Sequence, residues 1–114
     1  LEPQRKLLGM VAKNYVEVSD PGKMNWCCGG GGGVSANEDA AELRLVAFKR
    51  KKAQLDELGG KTLVTACANC RIVIEEGLEH YQMQLPVVGL TEMIAEHLAA
   101  PAPQAAQTPA RKGA

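Results

Sequence analysis

Apolar residues first recur at helical spacing between Pro3 and about Asn14, where Leu7, Leu8, Met10 and Val11 mark one side of a helix and Pro3 suits its first turn. The next segment, YVEVSDPG from Tyr15 to Gly22, alternates and then breaks at Pro21-Gly22, which predicts a short strand ending in a turn. Ser35-Ala36-Asn37-Glu38 has the form of a capping box, so a helix is expected to start there. Its apolar positions are Ala41, Leu45, Phe48 and Leu55, and Gly59-Gly60 supplies the positive φ that commonly closes a helix. KTLVTA, Lys61 to Ala66, is short, β-branched and apolar, as a buried strand is, and Cys67 stands at its end. A further helix is expected from Ala68 or Asn69, carrying Ile72, Val73, Leu78 and Tyr81. LPVVGL, Leu85 to Leu90, reads as another strand, and Thr91 as the cap of a last helix with Met93, Ile94 and Leu98.

Strands alternating with helices imply crossover connections and parallel pairing. The expected fold class is therefore α/β: a small, three-layer-like domain in which short parallel strands alternate with helices. At 114 residues the chain has room for one core, placed in residues 1–98. Residues 99–114, rich in alanine and proline and poor in bulky apolar groups, are expected to form a disordered tail.

Composition removes several function classes. Lys and Arg number 13, and so do Asp and Glu, so no overall field attracts a polyanion, and nucleic-acid binding is disfavoured. The apolar runs are far shorter than the roughly 20 residues of a membrane helix. Four cysteines in a chain with plentiful regular elements point to a reducing cytoplasm and to thiols used for metal or redox work, rather than to a disulfide framework.

The thiols come in two pairs. Cys67-Ala68-Asn69-Cys70 is a C-x-x-C at a strand-to-helix turn, a spacing shared by zinc knuckles, thioredoxin-like dithiols and iron–sulfur ligands, and the helix start favours thiolate over thiol. Cys27-Cys28 is less common, because adjacent side chains of extended backbone point to opposite sides and serve one tetrahedral ion poorly; a multi-iron centre relaxes that constraint. Gly29, Gly30, Gly31, Gly32 and Gly33 follow directly, able to bring backbone N–H groups close to an anionic sulfur-rich centre. As a polyglycine they could also be a flexible linker or a phosphate cradle, but they lie between paired cysteines and a helix start, and the expected G-K-[ST] is absent.

CCGGGGG followed by CANC resembles the CCG, or cysteine-rich, domain found in the B- and D-type subunits of heterodisulfide reductase and proteins like them, over roughly residues 1–98. Within that group the likeness is greatest to the DsrK-like electron-transfer subunits of membrane complexes associated with sulfite reduction. The resemblance implies that Cys27, Cys28, Cys67 and Cys70 ligate a non-cubane 4Fe-4S iron–sulfur cluster that passes electrons to a disulfide-type sulfur substrate, either a small protein or a low-molecular-weight disulfide. It implies as partners the other subunits of a membrane-associated redox complex, with the chain on the cytoplasmic side and peripheral at the inner face of the membrane. The family pattern has a further cysteine upstream of the pair, with no counterpart before Cys27, so the chain is expected to be the C-terminal part of a longer subunit, inactive alone and with its cluster absent or replaced by zinc. The alternatives are a zinc-binding structural or docking module without redox role, and a metal-free dithiol at Cys67 and Cys70.

Other residues take plainer roles. Trp26 is expected to anchor the core, and His80 and His97, near helix C-termini, to lie on the surface. Lys49-Arg50-Lys51-Lys52, with acidic neighbours on the same helix, is read as a solvated face, and Arg71 as a solvent-facing residue that could moderate the charge of a reduced cluster.

Overall fold

A computed structural model describes residues 2–98 of the chain. Helix α1 (Glu2–Val11) comes first, followed by an irregular segment that leads to the cysteine pair. Short 3-10 turns at Gly31–Ala36 and Glu38–Ala40 then feed the long helix α2 (Ala41–Leu58). Strand β1 (Leu63–Thr65), helix α3 (Ala68–His80), strand β2 (Val87–Gly89) and helix α4 (Leu90–Glu96) complete the order. The two strands pair in parallel, Leu63 opposite Val87 and Thr65 opposite Gly89, with α3 as the crossover between them. This is the expected alternation of helices with short parallel strands. The tail expected over residues 99–114 lies outside the described residues.

Three local expectations change. YVEVSDPG forms no strand; Glu17 returns along α1 as the ion-pair partner of Arg5, and Ser19 is tied to α2 by a 2.6 Å bond from the Gln54 amide to its carbonyl. Alternation alone does not make a strand where no ladder partner is in reach. Ser35 does not cap α2, because the backbone there is still in a 3-10 turn with Gly32 and Gly33 at positive φ. Two residues later extended Asn37 caps the 3-10 turn Glu38–Ala40, accepting the Asp39 N–H at 3.0 Å, and α2 itself starts from Ala40 without a side-chain cap. Thr91 lies inside α4, which starts directly from Gly89 at the end of β2. Gly59, by contrast, closes α2 in the left-handed conformation, φ 59°, as its position suggests.

The core is assembled around Phe48, which is completely buried, with Leu55, Ile74, Leu78 and the sulfur of Cys28. Phe48 packs against Gly77 of α3 and stacks with Tyr81 at 6.1 Å between centroids; the Tyr81 hydroxyl donates to the Leu45 carbonyl. Helix α2 buries a stripe unlike the apolar one read from the sequence. Its buried positions are Arg44, Phe48, Lys51, Gln54 and Leu55, three of them polar. Arg44 is satisfied by a fork onto Glu76 of α3, 2.8 Å for each bond, and by the carbonyls of Val34 and Asn37. One guanidinium thus ties the glycine loop, α2 and α3 together, a use that suits its planar set of donors.

Candidate metal centre

The cysteine pairs arrive from opposite directions on the α2–α3 layer. Cys28 is buried, and its sulfur lies 3.1 Å from that of Cys70, 42 residues away in the chain. Cys27, its neighbour, is exposed. Cys67 caps α3, its sulfur accepting the Cys70 N–H at 3.5 Å, and is also exposed. All four are free thiols.

The loop glycines explain how the pair can lie there. Gly29 has φ 98°, and a side chain would meet Ala47 and the Arg44 carbonyl of α2 at 3.2 and 3.3 Å. A Cβ on Gly30 would sit 2.6 Å from a methyl of Val73, so no other residue fits where the loop crosses α3. The Asn69 amide fixes this crossing by donating to the Gly30 carbonyl at 3.0 Å. The Gly29 N–H points at Cys27 Sγ at 3.3 Å, and Gly31 is also close to that sulfur. Gly32 and Gly33, further along, meet nothing at the Cβ position.

These surroundings divide the thiols into two kinds. The N–H of Gly29, helped by those of Gly31 and Gly30 and by the Cys28 thiol, holds Cys27 below the ordinary thiol range. The Cys70 N–H, its thiol and the Asn69 N–H do the same for Cys67. Cys70 goes the other way: burial first, then the sulfurs of Cys28 and Cys67, push it up to about 12. The expectation that the helix start would activate both members of the C-x-x-C therefore applies to Cys67 alone. In metal-free protein iodoacetamide is expected to modify Cys27 and Cys67 well before Cys28 and Cys70. Their rates should persist as pH falls below the usual thiol range, because the reacting thiolate survives there; peptide mass spectrometry against time and pH reads both.

A residue read as solvated is buried instead. Lys51 is only 6% exposed, and its ammonium donates to Asn25 Oδ1 and Gln54 Oε1, 3.0 Å each. Burial pulls its pKa down, while the charges of Cys28, Cys27 and Cys70 oppose that pull. A lysine inside a basic run gives no local signal of burial; position 51, three and seven residues from Phe48 and Arg44, was the available clue. Trp26 departs in the opposite sense: it is 51% exposed with the Arg50 guanidinium 5.2 Å over its ring, so it does not anchor the core. Arg71 is engaged by Glu75 and Glu92, and His80 and His97 lie on the surface.

The residues match the profile of the CCG cysteine-rich domain over positions 1–75, which include all four cysteines. The chain belongs to the CCG cysteine-rich domain family. Over 79 residues it is 30% identical to the B subunit of a fumarate reductase (CoM/CoB) from Methanothermobacter marburgensis, an alignment covering 69% of this chain and 15% of that relative. The CCG domain therefore corresponds to a small part of its curated relative. No solved structure matches the chain.

Four soft thiolate donors, two of them biased toward the ionised form, are the chemistry an iron–sulfur centre requires. Among the described residues no three such donors, nor His, Asp or Glu with them, are gathered in the way a single metal ion needs.

Proposed function

We propose that this chain is the ligand-bearing part of an iron–sulfur electron-transfer subunit, in which Cys27, Cys28, Cys67 and Cys70 hold a non-cubane 4Fe-4S cluster and electrons pass to a disulfide-type sulfur substrate. The observation that carries the reading is the contact of Cys28 with Cys70, which joins the double-cysteine loop to the C-x-x-C helix inside a CCG-family fold. The relative's name as a reductase subunit supports an oxidoreductase role and partner subunits. When bound, the cluster supplies one-electron steps and an iron site for sulfur, dividing a two-electron S–S cleavage into easier stages. Cys27 and Cys67 present exposed thiolates, while Cys28 and Cys70 anchor the centre against the core. The backbone N–H of Gly29 donates to sulfur, a contact of the kind that tunes cluster potential, and Gly30 lets the loop approach α3. Among the described residues no helix is long and apolar enough to cross a membrane. We place the chain in the cytoplasm, held peripherally at the membrane by its partners.

Anaerobic reconstitution of the full chain with iron and sulfide tests this. Brown colour, acid-labile sulfide and a paramagnetic signal are the expected result. Stoichiometric zinc with none of these overturns the redox reading in favour of a structural zinc module.

A further inference from the structure

The contact between Cys28 and Cys70 has a chemistry of its own. The Cys28 thiol donates to Cys70 Sγ at 3.1 Å, about 1 Å beyond the bonded distance of a disulfide. Both sulfurs are held from behind. Cys28 belongs to the buried cluster of Phe48, Leu55, Ile74 and Leu78, and Cys70 packs against that cluster from α3. The loop that carries Cys28 has little room to shift, because its next two residues lie close against helices: Gly29 against Ala47 and the Arg44 carbonyl, Gly30 against Val73. Asn69, the residue before Cys70, donates to the Gly30 carbonyl at 3.0 Å and so ties the two cysteine segments to each other. The exposed sulfurs are turned to other tasks: Cys27 Sγ accepts the Gly29 N–H, and Cys67 Sγ accepts the Cys70 N–H as the cap of α3.

We infer that Cys28 and Cys70 are a modification site, a dithiol that a low-molecular-weight disulfide oxidises to an intramolecular disulfide pinning the double-cysteine loop to α3. The S–H bonds of Cys28 and Cys70 break and one S–S bond forms between them. The S–S bond of the oxidant breaks and takes up the electron pair and both protons, leaving as two thiols. Cys28 is buried, so the first exchange falls on the accessible thiols and the bond moves inward by further exchange. The link spans 42 residues of chain, and the fold that presses these two sulfurs together favours it over pairings of near neighbours such as Cys67 with Cys70. The inference concerns the protein's own thiols and does not rest on the iron–sulfur reading.

The test equilibrates the reduced, metal-free full chain with oxidised and reduced glutathione at stepped ratios, anaerobically. Free thiols are then blocked with N-ethylmaleimide in acid and the peptides mapped without reduction. Trypsin leaves Cys27 with Cys28 and Cys67 with Cys70, so fragmentation of the linked peptides assigns the bond. The expected product joins Cys28 to Cys70, carries the label on Cys27 and Cys67, and is reversed by dithiothreitol. In urea the ratio of oxidised to squared reduced glutathione needed to half-form this bond should be on the order of a hundredfold higher, because the fold stabilises the bond by as much as the bond stabilises the fold. A principal link of Cys67 to Cys70 or of Cys27 to Cys28, four thiols left free or held only by glutathione, or equal half-formation in urea overturns the assignment. Since no metal enters, failure here leaves reconstitution of the cluster untouched, and failure of reconstitution leaves this result standing.

Discussion

Replacing Cys28 by serine is expected to abolish retention of iron and acid-labile sulfide by the reconstituted chain while leaving its helical circular dichroism in place. Cys28 is the buried member of its pair, and its sulfur is the one that touches the C-x-x-C, at 3.1 Å from Cys70. The serine hydroxyl is a harder donor and is protonated at neutral pH, so it replaces a thiolate poorly at iron. The loss should exceed the roughly 10–100-fold that follows removal of a group merely supporting a metal ligand. Cys70→Ser should behave alike, because the same contact is lost from the other side. Iron and sulfide analysis after desalting decides the matter: parent-like content in folded Cys28→Ser would remove this cysteine from the ligand set.

The second large effect lies in the core behind the site. Gly77→Ala in α3 is expected to destabilise the chain, although alanine is the better helix former by about 1 kcal/mol. The added Cβ would sit 2.4 Å from two carbons of the Phe48 ring, a ring with 0% exposure that is stacked on Tyr81. A ring so enclosed cannot swing aside, and overpacking of this kind costs about 1–3 kcal/mol, occasionally more. Gly77→Val, which adds branching at the same atom, should cost more than alanine. Urea unfolding followed by circular dichroism reads both, and a rise in midpoint for Gly77→Ala would show that the α2–α3 contact has room for a methyl group. Because Cys28 and Cys70 belong to the same packed cluster as Phe48, loss of this contact should also impair cluster uptake.

Features whose cause lies within a few residues were legible from the chain. Gly59 ends α2 because a left-handed residue there closes the last turn, and Cys67 precedes α3 because a strand ends and a helix starts beside it. The two strands, their parallel pairing through a helix and the double-cysteine loop before α2 belong to the same class. The pairing of glycine with cysteine was also visible, although only the approach of Val73 to Gly30 showed why one glycine admits no substitute.

Where the chain misled, a distant partner decided. Alternation at Tyr15 to Val18 met no strand to pair with, and Ser35 caps no α-helix because Gly32 and Gly33 keep its turn out of α-helical register and a second 3-10 turn, capped by Asn37, intervenes before α2. The buried face of α2 is the clearest instance. Periodicity marks which residues share a face by geometry, and apolarity is the usual guide to which face is inside. Arg44 and Lys51 defeat that guide because burial of a charge depends on partners that come from elsewhere in the chain: Glu76 for the one, Asn25 for the other. The elements, their order and the four sulfur donors were thus set by local chemistry along the chain. Which sulfurs meet and which are held toward the thiolate follow only from the folded arrangement, because electrostatic environment is a property of neighbours in space.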